Sequence, residues 1–363
     1  MSQLALQDLH HDLGAVFTEV GDSPVVARYG NLLAEYEALT QTAAFLDFSF
    51  RGRLCLTGAD RVRFLHGQVT NDVKALSPGT GCYAAIVDAK GRMESDAYIY
   101  CLTDELLLDF EPGLTRQLTE RLEKYIVADD VQVVDVSSLY GLLTVQGPRA
   151  EAAVRRARLL EDVPSGPLRF SKKIDADLGE IYLVNQPRLG TQGFDLFVPA
   201  GALRFFADVL LASVRAEGGG PAGWDAFETA RIEAGIPRFA ADMDNTNFPQ
   251  ECGLEARAMS YSKGCYIGQE VLNRIHTVGH VNRILRGFRL AAGASPTPAP
   301  RDRLCKDGRE VGYLTSVAQS PKAPQIVALG YVRKGADAAG TELILRTQSG
   351  DVGTRVMLSP SYP

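Results

Sequence analysis

The chain has 363 residues, 38 of them basic and 44 acidic, for a net charge of −6 with histidines neutral. That mild acidity argues against a broad Lys/Arg surface for nucleic acid and against non-specific adhesion to anionic membranes. With 45% hydrophobic and 23% charged residues, wholesale disorder is excluded, and the length predicts about two domains.

Residues 52–57 read as a strand, and Gly58-Ala59-Asp60 opens a helix through Leu65. His66 follows on this amphipathic helix and reads as a surface residue. Residues 83–100 form a predicted hairpin around Asp88-Ala89-Lys90-Gly91, because Asp and Gly favour the turn. Leu106-Leu107-Leu108 reads as a strand. Leu114, Leu118, Leu122 and Ile126 recur four apart, which predicts a helix over 114–126. Strands are expected near 131–136 and 140–146, then a helix after Gln146-Gly147-Pro148, with Pro148 in its first turn. In the strand 194–198, period two puts Phe194, Leu196 and Val198 on one face and Asp195 with Phe197 on the other, polar side. Residues 201–215 and 224–234 read as helices. Between them, Gly218-Gly219-Gly220-Pro221-Ala222-Gly223 matches G-x-G-x-x-G but follows a helix, so it reads as a linker. A boundary near residue 285 divides the chain into 1–285 and 286–363. Past it lie the Pro/Ala-rich 294–300 and β-like runs at 310–315, 326–332 and 342–345, which predict a small antiparallel barrel or sandwich.

The N-terminus lacks a basic cluster and the first Lys or Arg is Arg28, which predicts a cytoplasmic protein. Of six cysteines none forms a C-x-x-C pair, and Cys55 and Cys101 read as small core residues. Asp242-Met243-Asp244-Asn245-Thr246-Asn247 departs from a calcium loop at its Gly and Glu positions and reads as a polar turn. His276 and His280 with Glu270 would suit zinc only on a continuous helix, which Val278-Gly279 opposes, so no metal site is expected. The sharpest local feature is Ser262-Lys263-Gly264-Cys265-Tyr266-Ile267-Gly268-Gln269-Glu270. Lys263, and a helix N-terminus starting at Tyr266, would each favour the Cys265 thiolate. A structural turn is the plainer reading of the same residues.

Several stretches together resemble one family. They are Ala44-Phe45-Leu46-Asp47-Phe48-Ser49, Val69-Thr70-Asn71-Asp72-Val73, Asp88-Ala89-Lys90-Gly91-Arg92, Gly193-Phe194-Asp195-Leu196, Arg231-Ile232-Glu233-Ala234-Gly235, Asp242 to Asn247, and Val311-Gly312-Tyr313-Leu314-Thr315-Ser316. In this order they resemble the tetrahydrofolate-binding family that contains the glycine cleavage T-protein, an aminomethyltransferase. The resemblance implies an α+β folate-binding domain with antiparallel sheets and flanking helices, followed by a small C-terminal antiparallel β-barrel. Lys263 to Glu270 resembles the signature of the YgfZ-type branch, whose members support iron–sulfur cluster assembly or repair in client enzymes and depend on that cysteine.

The resemblance places the acid facing tetrahydrofolate's reactive edge on Asp96, and the acid holding the pterin's amino-pyrimidine edge on Asp195. It places a folate-pocket tyrosine on Tyr83 and a family arginine on Arg231. Two departures stand out: Ser95 where the transferases have a first acid, and Phe227 where they have a second arginine. The implied cofactor is tetrahydrofolate or a one-carbon derivative. The implied partners are iron–sulfur client or scaffold proteins, with neither nucleic acid nor membrane. Lys263, Cys265 and Asp96 are the implied chemical residues. Cys265 could ligate iron, hold a cluster transiently, or attack a folate-borne one-carbon unit, and aminomethyl transfer is the alternative activity.

Overall fold

The apolar spacing of each segment decides which face it buries. A computed structural model describes residues 6–291, 297–323 and 325–357. Of the Pro/Ala stretch, residues 294–296 lie outside the described residues. Contacts divide the chain into two compact units, one of Met1–Ala84 with Asp96–Phe227 and one of Ala85–Ser95 with Glu228–Pro363.

The first unit holds a six-stranded sheet in the order Phe170–Asp175, Gly179–Asn185, Gly193–Pro199, Tyr140–Gln146, Ala44–Asp47, Gly220–Pro221. Its neighbours pair antiparallel, except that Gly220–Pro221 runs parallel to Ala44 and Phe45. Phe194, Leu196 and Val198 do share one face, with Leu143, Val145 and Phe45 in the same core. Helices Ala150–Ala157 and Leu203–Ala216 cover it, contributing Val154, Phe206, Leu210 and Val214. The opposite face departs from the expected polar side. It carries Thr144, Gln146 and Asp195, but all three are fully buried. The cause is a second sheet, whose Tyr100 packs against Phe197 and Phe170 at ring separations of 5.7 and 6.2 Å.

That second sheet runs in the order Thr80–Val87, Met93–Cys101, Leu106–Phe110, Gly52–Thr57, Gln132–Asp135. The expected hairpin is present, with Asp88 Oδ1 accepting the N–H groups of Lys90 and Arg92 at its turn. Leu54, Leu56, Leu106 and Leu108 are sealed in, and Cys55 and Cys101 are buried as expected. His66 is buried rather than on the surface. Its Nδ1 lies 3.3 Å from Asp72 Oδ1 and closes the turn after the helix Arg61–Gln68. Elements before residue 50 were not expected. They include a ribbon of Val16–Val20 with Ser23–Arg28 and the helix Leu32–Gln41, capped by Asn31 accepting from Leu33 N at 2.9 Å. Among the described residues no helix is long and apolar enough to cross a membrane.

In the second unit six strands close an antiparallel barrel: Arg283–Ala291, Gln325–Arg333, Arg309–Gln319, Arg303–Lys306, Glu342–Thr347 and Gly350–Met357, the last pairing back to the first. Phe288, Leu304, Leu314, Val332, Leu345 and Val356 fill it. Closure removes the free edges that an open sheet of this size would expose.

The glycine run is more than a linker. Gly220–Pro221 is an edge strand, and Ala222 N donates to Phe45 O at 2.9 Å. A Cβ at Gly219 would stand 1.7 Å from Ala43 O. Backbone cannot give way as a side chain can, so only Gly permits this approach. Gly219→Ala is expected to cost about 3 kcal/mol or more, read as a lower midpoint in urea unfolding.

Candidate functional site

The first unit carries a buried polar site built by adjacent strands. Tyr83, on Thr80–Val87, donates its hydroxyl to Asp96 Oδ2 on Met93–Cys101 at 2.5 Å. Both side chains are buried, and Tyr98 lies alongside Tyr83 with ring centroids 4.8 Å apart. The structure thus brings Tyr83 and Asp96 together. Burial, and then the nearby Glu111 carboxylate, push the Asp96 carboxyl up to about 6, against the pull of the Tyr83 hydrogen bond and Arg51. A carboxyl in that range can take or give a proton near neutral pH.

Asp195 lies in the same unit with a different environment. Arg188 Nε donates to both its oxygens at 3.1 and 3.0 Å, and Arg188 Nη2 reaches Oδ2 at 2.5 Å. The same Nη2 donates to Asp109 Oδ2 at 2.7 Å, and Arg51 Nε donates to Asp109 Oδ1 at 2.7 Å. Arg51 Nη1 continues to Glu111. The Arg188 guanidinium also sits 5.3 Å from the Phe48 ring and 5.4 Å from that of Tyr98. Burial alone would raise Asp109, but Arg51 and Arg188 hold its carboxyl below the usual range. Beside this network, the Tyr100 hydroxyl is buried without a hydrogen-bond partner among the described residues. Such an orphan donor in a polar enclosure is what a bound polar molecule would satisfy.

The remaining expected residues belong to the second unit. All five N–H groups of Arg231 are engaged: by Glu228 at 2.8 and 2.9 Å, Ile236 O at 2.6 Å, Asp242 at 2.6 Å and Ser316 at 3.2 Å. Asp242 in turn accepts from Thr315 and Ser316 at 2.5 and 2.7 Å. The polar turn beginning at Asp242 therefore ties the segment after residue 228 to the barrel. Lys263 is buried with its ammonium 4.7 Å from the centre of the Tyr266 ring, whereas Cys265 is exposed. The helix expected from Tyr266 begins instead at Gln269. Gly268 precedes it at φ +82°, and a Cβ there would stand 2.5 Å from Asp88 O, so the chain turns tightly over the hairpin before helix starts. Cys265 thus lies outside the first turn, where the helix dipole acts. His276 Nδ1 sits 2.6 Å from Glu255 Oε1 and its ring stacks on Tyr261.

Arg188, Asp109, Arg51 and Glu111 were missed from the sequence. Asp109 had a signal: an acid within Leu106-Leu107-Leu108-Asp109-Phe110, where an apolar strand demands a cationic partner. Arg188 follows Pro187 in a loop and carries no periodic signal.

Two outcomes follow from these charges. The folded-state carboxyl of Asp96 is raised, so the folded protein holds the proton more tightly than the unfolded chain does. Its contribution to stability is therefore present at pH 4 and is lost as pH rises toward about 6. The stability of Asp96→Asn minus that of the native protein is expected to grow over that window by up to about 3 kcal/mol, measured by urea unfolding at stepped pH. Arg188→Leu leaves Asp195 buried without its cation and Asp109 with Arg51 alone, and is expected to cost about 3–5 kcal/mol in the same measurement at pH 7.

Comparison with known proteins adds to this geometry. The chain matches the GCVT N-terminal domain over residues 6–263 and the glycine cleavage T-protein C-terminal barrel domain over 283–363. It is 28% identical over 348 residues to a putative chloroplastic transferase of Arabidopsis thaliana, covering 95% of this chain and 78% of that one. It is 27% identical over 364 residues to an aminomethyltransferase of Herpetosiphon aurantiacus, covering 100% and 98%. The crystal structure of the glycine cleavage system aminomethyltransferase T from Bartonella henselae superposes with a TM-score of 0.85 at 22% identity, covering 98% and 97%, which establishes the fold. With both of its matched stretches in the order those proteins have them, the chain belongs to the glycine cleavage T-protein family.

Proposed function

We infer that the first unit binds a tetrahydrofolate derivative, with Asp96 and Tyr83 at its reactive nitrogens. The observation that carries this is the buried Tyr83–Asp96 pair, whose carboxyl is poised near 6. The Tyr100 hydroxyl is buried and unsatisfied beside Asp195, Asp109 and Arg188, a donor that a polar ligand reaching it would answer. Tetrahydrofolate, when bound, supplies two nitrogens between which a one-carbon group is carried. Asp96 holds and returns the proton at those nitrogens, and Tyr83 fixes which carboxyl oxygen faces them. Asp195 holds Arg188 against the Phe48 and Tyr98 rings, so the two orient the ligand as a unit.

Two uses of the bound folate compete. The names of the relatives support aminomethyl transfer. Three features of this chain support the other use, iron–sulfur cluster assembly or repair in client proteins through Cys265. Ser95 is buried where the transferases have an acid. Phe227 packs at 4.9 Å from Phe48 and 5.6 Å from Trp224, where they have an arginine. Cys265 is exposed within the Lys263 to Glu270 signature, open to a partner. A single thiol cannot hold a [4Fe–4S] cluster, which takes four, so on this reading a client or scaffold supplies the rest.

Anaerobic calorimetric titration with tetrahydrofolate is expected to show saturable binding, weakened about tenfold or more in Asp96→Asn and Tyr83→Phe and unchanged in Cys265→Ser. Equal binding by all variants would remove Asp96 and Tyr83 from the site. Ammonia release from an aminomethyl-lipoyl carrier would establish the transfer use. Loss of cluster-enzyme activity in a deletion strain carrying Cys265→Ser, without ammonia release by the native protein, would establish the maturation use.

A further inference from the structure

Strand register lines up three charged side chains in the first unit. Tyr98 lies opposite Asp109, so the same register, carried on, sets Asp96 opposite Glu111, just past strand Leu106–Phe110. Gly52 lies opposite Phe110, so Arg51, just before strand Gly52–Thr57, stands opposite Glu111 from its other side. Directly opposed residues share a face, with Cβ atoms about 5 Å apart. The row Asp96, Glu111, Arg51 thus crosses three neighbouring chain segments, and all three side chains are buried.

The two carboxyls of the row are met differently. Glu111 is in an ion pair with Arg51, which also holds Asp109. Asp96 accepts from the Tyr83 hydroxyl through Oδ2, so the proton of its neutral form belongs on Oδ1. Like charges directly opposite one another are destabilising, the more so where water is excluded. Glu111 keeps its charge on Arg51, and the proton that relieves the repulsion goes to Asp96. The upward push on the Asp96 carboxyl, to about 6, agrees: Glu111 is its second cause after burial.

The other charged and titratable groups around Asp96 have other duties. Glu94 and Tyr98 flank it at period two on its own strand. Arg188 and Asp195 come from the six-stranded sheet and its loop, paired with each other. Asp109 is spent between Arg51 and Arg188.

We propose that Glu111 is a positioning residue of the folate site: its charge keeps the pair's proton on Asp96 and draws that proton back after each transfer. This rests on the reading that the first unit binds a tetrahydrofolate derivative. When Asp96 Oδ1 gives its proton to a basic nitrogen of the ligand, two opposed carboxylates remain. The proton's return from that nitrogen relieves their repulsion. Arg51 tempers the repulsion without removing it, since one guanidinium serves Glu111 and Asp109 together.

The test reads Asp96 directly, by infrared difference spectra of the ligand-free full chain stepped from about pH 4 to about pH 8. The protonated-carboxyl band missing from Asp96→Asn belongs to Asp96. In the native protein it is expected to fall to half near pH 6, and in Glu111→Gln about one unit lower. Glu111→Asp, which keeps the charge, is expected to bring the midpoint at least halfway back to native. Glu111→Met supplies a second neutral side chain of similar length should the glutamine variant not fold. Tetrahydrofolate affinity, titrated anaerobically over the same range, is expected to inflect where the Asp96 band does in each protein. An Asp96 band that titrates alike in the native and neutral-variant proteins overturns the proposal, as does an affinity whose inflection does not follow the band. Absence of tetrahydrofolate binding by the native protein overturns the underlying reading instead, whatever the infrared titration gives.

Discussion

Asp109 sits between two arginines, and much of the first unit depends on that arrangement. Arg51 donates to one oxygen and Arg188 to the other, each at 2.7 Å. From there the alternation runs outward to Glu111 on one side and Asp195 on the other. An isolated ion at any of these positions would be expelled from so dry a place. Held in sequence, the five charges fix strand Leu106–Phe110 against Gly193–Pro199 and the loop bearing Arg188. The same chain sets the chemistry of Asp96. Burial and then Glu111 raise its carboxyl while Tyr83 and Arg51 oppose, so charges that are structural in the first instance help set its proton affinity.

The second unit uses the same device for a purely structural end. Arg231 and Asp242 are both buried, and between them they join the segment after residue 228 to Ser316 on a barrel strand and, through the Asp242 carbonyl, to Tyr331. With every donor of Arg231 spent inside the unit, its family likeness is a likeness of architecture. A matching residue can be kept by packing as well as by chemistry, and here the hydrogen-bond inventory separates the two.

Much of the fold was legible because period two and period 3.6 speak directly. The strands at 52–57, 106–108 and 140–146 and the helices near 115, 203 and 224 follow from their apolar residues, and the hairpin from its Asp and Gly turn. Strands Phe170–Asp175 and Gly179–Asn185 were not legible. The first, Phe-Ser-Lys-Lys-Ile-Asp, lies at the edge of its sheet, where pairing and not burial makes it a strand. The site was legible in part. Asp96 and Tyr83 came from family likeness, and their contact came only from the hairpin's register. Arg188 could not be read at all, since a loop residue 79 positions from Asp109 meets it only through tertiary folding.

The contrast between Asp96 and Asp195 then carries the functional argument. Both are buried aspartates of the first unit, and burial raises both. Asp195 is answered by a cation through three contacts, which oppose its burial without cancelling it, and its oxygens are taken. Asp96 is answered by a neutral phenol and faces a like charge, so its two protonation states lie close in free energy near neutral pH. A group whose states are balanced can move a proton with little driving force in either direction. A group locked by an arginine can only hold a shape. The first unit has one of each, and the proposed division, proton transfer at Asp96 and positioning at the Asp195–Arg188 pair, rests on that difference.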